Sequence, residues 1–149
     1  MLVQEIMTLD VITAKKTDKL KDAAATLFKQ NLTGMPVVDE ENKVIGIITE
    51  YDFINPDLGL HIPTYIDFLQ SIDMVKDKNT SDYKADVADL TDSTVEQIMT
   101  SDVKTVNPTT DLKDVVKLVV ENRINPVPVV DNNNKLKGII SRSDLLKII

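Results

Sequence analysis

Two stretches of the chain, MPVVDEENKVIGIITEYD at residues 35–52 and VPVVDNNNKLKGIISRSD at residues 127–144, decide the fold. Each contains two short apolar runs separated by a polar turn, a pattern that predicts a β-hairpin. The second stretch restates the first 92 residues later. The chain therefore carries the same hairpin twice.

The repetition extends outward from the hairpins without a gap. Aligning Val3–Ile54 with Val95–Leu146 gives 21 identities in 52 positions, which indicates duplication of one supersecondary unit. Because a unit of about 50 residues buries little apolar surface alone, we expect the two copies to share a core. We assign repeat 1 to residues 1–54, a connector to 55–94 and repeat 2 to 95–149.

Each repeat is predicted to run strand, helix, strand, strand, helix. In repeat 1 the first strand is Val11–Ala14, Thr17 is a candidate helix cap, and an apolar helical face spans Leu20–Leu27. The hairpin strands are predicted at Met35–Val38 and Lys43–Thr49. Repeat 2 restates these elements, so the fold is predicted to be of the mixed α/β (α+β) class.

Composition and charge limit the function classes. The net charge is −7, and eight Asp and three Lys lie in the connector, where Pro63–Ile72 is predicted to form a helix. A chain without a basic stripe has no long-range field to attract a polyanion, so we expect no nucleic-acid binding. With no apolar run long enough for a membrane span and no visible secretory signal, we expect a soluble, cytoplasmic protein.

Catalytic motifs are missing from the sequence. The chain has no cysteine and a single histidine, His61, which leaves no thiol nucleophile and no plausible metal constellation. The four glycines do not form a Walker-type phosphate loop. We therefore expect a protein that is not an enzyme and has neither a metal nor a catalytic cofactor.

Four short motifs occur in the same order in both repeats. They are Ile-Met-Thr (Ile6–Thr8, Ile98–Thr100), Asp-Val-x-Thr (Asp10–Thr13, Asp102–Thr105), Pro-Val-Val-Asp (Pro36–Asp39, Pro128–Asp131) and Gly-Ile-Ile-Thr/Ser-x-x-Asp (Gly46–Asp52, Gly138–Asp144). Each repeat thereby resembles a cystathionine-β-synthase (CBS) domain, and the pair resembles a Bateman module. The resemblance implies two β-α-β-β-α repeats packed through their sheets about a pseudo-twofold axis, with two ligand clefts.

The resemblance also implies the ligand class and the site residues. Family clefts commonly bind AMP, ADP, ATP or S-adenosylmethionine, and the last Asp of the fourth motif accepts the ribose hydroxyls. The binding positions carried over to this chain are Asp52 and Asp144 for ribose, Thr49 and Ser141 for phosphate, and Thr13, Ala14, Met35, Pro36, Thr105, Val106, Val127 and Pro128 for adenine. Helix capping by the Asp, Thr and Ser residues, and a core role for the others, remain alternatives.

Both arginines of the chain, Arg123 and Arg142, lie in repeat 2, where repeat 1 has Asn31 and Glu50. A guanidinium matches phosphate geometry, so we expect repeat 2 to hold the tighter phosphate site. Solvated surface charges are the alternative for these arginines.

Two functions remain open. The first is a regulatory, homodimeric module that senses an adenosine-containing small molecule and acts on an unidentified protein. The second is a ligand-free module for protein–protein assembly.

Overall fold

Two β-hairpins, one in each repeat, form the centre of the protein, whose computed structural model describes residues 1–54 and 93–148. The strands are β1 Gly34–Val38, β2 Val44–Thr49, β3 Val127–Val130 and β4 Leu136–Ile140, paired antiparallel as β1–β2 and β3–β4. The helices are α1 Leu20–Lys29, α2 Glu50–Ile54, α3 Val95–Ile98, α4 Leu112–Glu121 and α5 Arg142–Leu146. The predicted helix Pro63–Ile72 and His61 lie outside the described residues.

The first strand of each repeat is shorter than predicted. In repeat 1 only Ala14 pairs with the hairpin, in a parallel bridge to Val37. The Ala14 N–H donates to the Pro36 carbonyl at 2.9 Å, and the Val38 N–H donates to the Ala14 carbonyl at 3.0 Å. Val106 makes the equivalent bridge on β3. The β-branched pattern therefore marks a segment that runs along the edge of the hairpin and bonds to it at one residue. We name residues 11–14 and 103–106 the edge segments of repeats 1 and 2.

The long helix of each repeat packs on one face of its own hairpin. In repeat 1, Leu20, Ala23, Ala24 and Leu27 of α1 meet Met35, Val37 and Ile48 of the hairpin in one buried cluster. The cluster of repeat 2 contains Leu112, Val115, Val119, Val127, Val129 and Ile140. The amphipathic helix and one hairpin face thus supply most of each core, as the apolar periodicity predicts.

The segments that begin the two repeats each pack on the opposite repeat. We name residues 1–8 leader 1 and residues 93–100 leader 2. Val3 of leader 1 is fully buried in the cluster of repeat 2, and Val95 of leader 2 is fully buried in that of repeat 1. Thr8 pairs with Ile139, and Thr100 pairs with Ile47. Each leader therefore extends the sheet of the other repeat, so neither repeat is complete without its neighbour.

Leader exchange also explains why the predicted cap at Thr17 is wrong. The N-cap of α1 is Lys19, two residues further on, and its side chain makes no capping hydrogen bond. The Leu20 N–H donates instead to the Ser93 carbonyl of leader 2 at 2.8 Å. A main-chain carbonyl of leader 2, distant in sequence, thus satisfies one of the free N–H groups at the helix start.

Two contacts join a residue to its own counterpart 92 positions later and so mark the pseudo-twofold axis. At the turn end of the hairpins, Lys43 bridges to Lys135. At the open end, the Asn125 side-chain amide donates to Thr33 Oγ1 at 3.2 Å. Next to the first contact, Val38, Val44, Val130 and Leu136 form a third buried cluster. The repeats therefore pack through their hairpins about this axis.

Candidate functional site

Asp52 lies in the first turn of α2 and is 9% exposed. Its Oδ2 accepts hydrogen bonds from the Thr49 N–H at 2.7 Å and from the Thr49 hydroxyl at 3.2 Å. Its Oδ1 accepts only a long bond, at 3.5 Å, from the Thr100 hydroxyl of leader 2. Asp52 thus caps its helix with one oxygen while the other retains acceptor capacity.

Asp144 occupies the matching position in α5 and is 4% exposed. Its Oδ2 accepts from the Ser141 N–H at 2.8 Å and from the Ser141 hydroxyl at 2.9 Å. Its Oδ1 accepts from the Thr8 hydroxyl of leader 1 at 3.2 Å and from Lys147 Nζ at 2.6 Å. Unlike Asp52, this carboxylate has a cation in direct contact.

The two carboxyls differ in acidity for that reason. Burial raises the pKa of Asp52 above its ordinary value, and the hydrogen bonds from Thr49 and Thr100 only partly offset this effect. Burial also opposes ionisation of Asp144, but the bonds from Lys147 and Ser141 outweigh it and lower the pKa of Asp144. Asp52 is therefore the carboxylate that gains more from a new hydrogen-bond donor.

Each carboxylate is brought close to the other repeat by a leader. Thr8 contacts Asp144 and stands five residues before Thr13, and Thr100 contacts Asp52 and stands five residues before Thr105. Leader 1, which contacts Asp144 of repeat 2, thus continues directly into the edge segment of repeat 1. Each buried carboxylate is therefore linked, through a threonine five residues upstream, to the edge segment of the other repeat.

The edge segments present free main-chain groups. The N–H and C=O of Ala14 both bond to β1, and those of Val106 both bond to β3. In a parallel pair the groups of the preceding residue point the other way. Within residues 1–54 and 93–148, the main-chain groups of Thr13 and Thr105 accordingly have no hydrogen-bond partner.

The other predicted adenine contacts are core residues in this structure. The side chains of Met35 and Val127 belong to the buried clusters of their repeats. Pro36 and Pro128 are also buried, and their carbonyls accept the bonds of the edge segments. A role for these four residues in ligand binding stays a prediction, and any such role falls to main-chain atoms or to the rim of the cleft.

Arg142 and Asp144 are not brought together. They are two residues apart on α5, so they point in directions roughly 160° apart. The Arg142 side chain lines an outer groove with Arg123, Val120 and Leu146 instead. The phosphate role of the two arginines stays a prediction, and in this structure both line the outer groove.

The sequence reasoning did not assign Thr8, Thr100 or Lys147 to the site. Repetition of Ile-Met-Thr in both copies was a signal for the two threonines. The contact of Lys147 with Asp144, three residues apart, follows from helical spacing.

Comparison with known proteins establishes the family. The CBS domain profile matches residues 3–57 and 95–149, so the chain belongs to the CBS domain family and carries two CBS domains. Protein MJ1426 of Methanocaldococcus jannaschii is 29% identical over all of this chain and 91% of its own length. Protein MJ1225 of the same organism is 34% identical over 98% of this chain, which spans only 46% of that relative.

Solved structures share the fold. The crystal structure of MJ1225 matches 99% of this chain, and 47% of its own, with a TM-score of 0.75 and 32% identity. The CBS domain pair of protein MJ0100, crystallised with 5′-methylthioadenosine and S-adenosyl-L-methionine, matches 99% of this chain and 94% of its own, with a TM-score of 0.69 and 27% identity. These matches support a regulatory, ligand-sensing class of protein.

None of the helices within the described ranges has the length and apolar character needed to cross a bilayer.

Proposed function

We propose that the chain is a non-catalytic regulatory module that binds an adenosine-containing ligand, AMP, ADP, ATP or S-adenosylmethionine, in clefts between its two CBS repeats. The bound state is passed to an unidentified partner protein. A ligand that contacts both repeats binds one arrangement of them more tightly than another, and this difference in affinity supplies the free energy for signalling.

The observation that carries the proposal is the contact of each leader with the buried carboxylate of the other repeat. Thr8 meets Asp144, Thr100 meets Asp52, and each leader continues to an edge residue with free main-chain groups. A ribose acceptor and a base-reading edge thus come from different repeats. Binding of one ligand would therefore hold the two repeats together.

The ribose end of the ligand suits the carboxylates. An ionised carboxylate accepts the two hydroxyl protons of a cis-diol in charge-assisted hydrogen bonds. Among the described residues, Asp52 Oδ1 accepts a single long hydrogen bond, at 3.5 Å from the Thr100 hydroxyl. A ribose hydroxyl would give this buried oxygen the stronger donor that it lacks.

The base end suits adenine better than guanine. One N–H and one C=O of the same residue, Thr13 or Thr105, are free at the sheet edge. Adenine presents an acceptor, N7, beside a donor, the N6 amine, whereas guanine presents two acceptors, N7 and O6. On this edge of the purine, a main-chain donor and acceptor therefore pair with adenine and leave a guanine acceptor facing a carbonyl. The adenosine ligands in the MJ0100 structure have this same base chemistry.

The module acts as a homodimer in this proposal. Phe28 on α1 is 66% exposed and Val120 on α4 is 67% exposed. Val120 lines a groove together with Leu146, which is also 67% exposed. Contiguous exposed apolar surface of this kind marks an interaction site.

The test is ligand binding by paired variants. A ligand at about a hundred times its dissociation constant adds ~2.7 kcal/mol of stability, or roughly 5–11 °C in melting temperature for a chain of this size. Thermal scans should show such a shift with at least one of the four adenosine ligands and a smaller shift with the matching guanosine compound.

Calorimetry on Asp52→Asn and Asp144→Asn locates the sites. Each variant should weaken binding in its own cleft on the order of 10- to 150-fold, since a hydrogen bond to a charged group contributes roughly 1.5–3 kcal/mol. Asp22→Asn, at an exposed position of α1, is the control. If neither adenosine nor guanosine ligands shift the melting temperature, the ligand-free assembly module is the better description.

A further inference from the structure

The two repeats carry equivalent grooves on their outer surfaces. In repeat 1 a groove of about 410 Å³ between α1 and α2 is lined by Phe28, Asn31 and Glu50 among others. In repeat 2 a groove of about 500 Å³ between α4 and α5 is lined by Val120, Arg123 and Arg142 among others. Each residue of the second set is the counterpart of one in the first, 92 positions later. We name these groove 1 and groove 2.

Both grooves have apolar walls that no other described residue covers. Groove 1 is bordered by Phe28 at 66% exposure, and groove 2 by Val120 and Leu146, each at 67%. The grooves lie on the face of α5 that Arg142 occupies and on the matching face of α2, away from the buried Asp52 and Asp144. A partner seated in them leaves the ligand clefts free.

The charges around the grooves are reversed between repeats. Groove 1 has Glu50 where groove 2 has Arg142, and α1 ends on Lys29 where α4 ends on Glu121. Groove 2 gains a further positive charge from Arg123. Within residues 1–54 and 93–148, none of these five charged side chains has an ion-pair partner.

Arg123 is also held in an unfavourable backbone conformation. Its φ of 56° lies in the left-handed region, where repeat 1 has Asn31 at 54°. Asparagine adopts this conformation with less strain than arginine does. An observed strained residue supports a functional role for its side chain, here the second positive charge of groove 2.

This pattern fits a second copy of the chain in one orientation. We propose that two copies pair antiparallel about a twofold axis, with groove 1 of each protomer against groove 2 of its partner. Glu50 then faces the partner's Arg142, Lys29 faces the partner's Glu121, and each pairing occurs twice. A parallel pairing would put arginine against arginine and glutamate against glutamate. The inference rests on the homodimer of the proposed function and adds its orientation and contacts.

Crosslinking tests the orientation cleanly because the chain contains no cysteine. The variants Phe28→Cys and Val120→Cys place one thiol in each groove. Treated separately with a short bis-maleimide, neither should form a covalent dimer efficiently. After the two variants are unfolded and refolded together, the mixture should give the mixed covalent dimer. Efficient crosslinking of either variant alone, without a gain in the mixture, would overturn the antiparallel arrangement.

Charge reversal tests the named contacts. Glu50→Arg and Arg142→Glu should each raise the dimer dissociation constant about tenfold, which corresponds to ~1.4 kcal/mol, because each puts like charges together twice. The double variant should return to within a few-fold of the unmodified protein, since the opposite charges meet again. Glu40→Arg, in the exposed turn of the first hairpin, is the control. The readout is sedimentation equilibrium, and failure of the double variant to recover contradicts the proposed pairs.

The two proposals fail separately. A monomer that still binds an adenosine ligand overturns the antiparallel dimer and leaves the sensing function in place. An antiparallel dimer that binds no adenosine ligand upholds the dimer and removes the sensing function.

Discussion

Replacing Val95 by alanine should damage the repeat that does not contain it. Val95 belongs to repeat 2 by sequence, but its side chain is fully buried among Leu20, Met35 and Ile48 of repeat 1. Removing two methyl groups costs about 0.8 kcal/mol each in transfer free energy, and the cavity adds to this. The expected loss is about 2 kcal/mol in the free energy of unfolding, or roughly 4–8 °C in melting temperature.

The position of the damage is the sharper measurement. Native-state hydrogen exchange of Val95→Ala should show weaker amide protection in α1 and β1 of repeat 1. Val3→Ala, the counterpart in leader 1, should weaken protection in α4 and β3 of repeat 2, because Val3 packs there. Val116→Ala removes the same atoms from a side chain that is 39% exposed and should cost much less.

The reasoning is refuted if Val95→Ala lowers protection mainly within residues 112–140, its own repeat, or if the Val95 and Val3 variants give the same protection pattern. The exchange also predicts a functional consequence. Leader 2 carries Thr100 against Asp52, so Val95→Ala should weaken ligand binding at Asp52 more than at Asp144.

Two further predictions concern the buried carboxylates and the glycines under the leaders. The raised pKa of Asp52 means that the native state holds this proton more tightly than the unfolded chain does, so ionised Asp52 lowers stability at neutral pH. This loss of stability disappears as the pH falls through the folded-state pKa. Asp52→Asn should therefore raise the melting temperature at pH 7 and have a smaller effect near pH 4. Asp144 has a lowered pKa, so its carboxylate stabilises the fold at pH values above the ordinary pKa of 3.8, and this stability is lost as the pH falls through the folded-state pKa. Asp144→Asn should therefore lower the melting temperature at pH 7 and have little effect on it in acid. A Cβ at Gly138 would lie 3.0 Å from the Thr8 carbonyl of leader 1 as well as 2.7 Å from Met7 Sδ, whereas the three atoms nearest to one at Gly46 all belong to the flexible Met99 side chain. Chemical denaturation should therefore show a larger loss of stability for Gly138→Ala than for Gly46→Ala, and an equal or smaller loss would contradict this packing.

The sequence predicted the hairpins well because their signals are local. The strands predicted at Met35–Val38 and Lys43–Thr49 are found at Gly34–Val38 and Val44–Thr49. Short apolar runs on either side of a polar turn are defined by residues within a few positions of each other. The apolar face of α1 was equally readable, since its period is set by the helix itself.

Leader exchange was not predictable in the same way. A pattern such as Ile-Met-Thr shows that a segment has an apolar side, but not which hairpin it covers. The two leaders share Val, Ile, Met and Thr at matching positions. Their side-chain types alone therefore do not determine which repeat each leader packs on. The choice depends on chain length and on docking of the whole fold, which local periodicity does not encode.

The same limit explains the position of the arginines. Arg142 stands two residues before Asp144, the predicted ribose acceptor, and this proximity in sequence suggested a shared ligand. On a helix, residues two apart face nearly opposite directions, so Arg142 lies on the outer groove while Asp144 faces leader 1. A helical projection of residues 141–146 places the two side chains on different faces, so helical geometry is the signal that separates them.

That separation gives the five-residue helices α2 and α5 two faces, each with its own proposed role. On α2, Asp52 belongs to a proposed ligand cleft and Glu50 lines groove 1. On α5, Asp144 and Arg142 divide in the same way. A short rigid helix cannot shift toward a ligand on one face without moving the side chains on the other. If both proposals hold, thermodynamic linkage requires that a ligand change the dimer dissociation constant by the same factor by which dimerisation changes ligand affinity. The regulatory signal would then be read as a change in how two antiparallel protomers fit together.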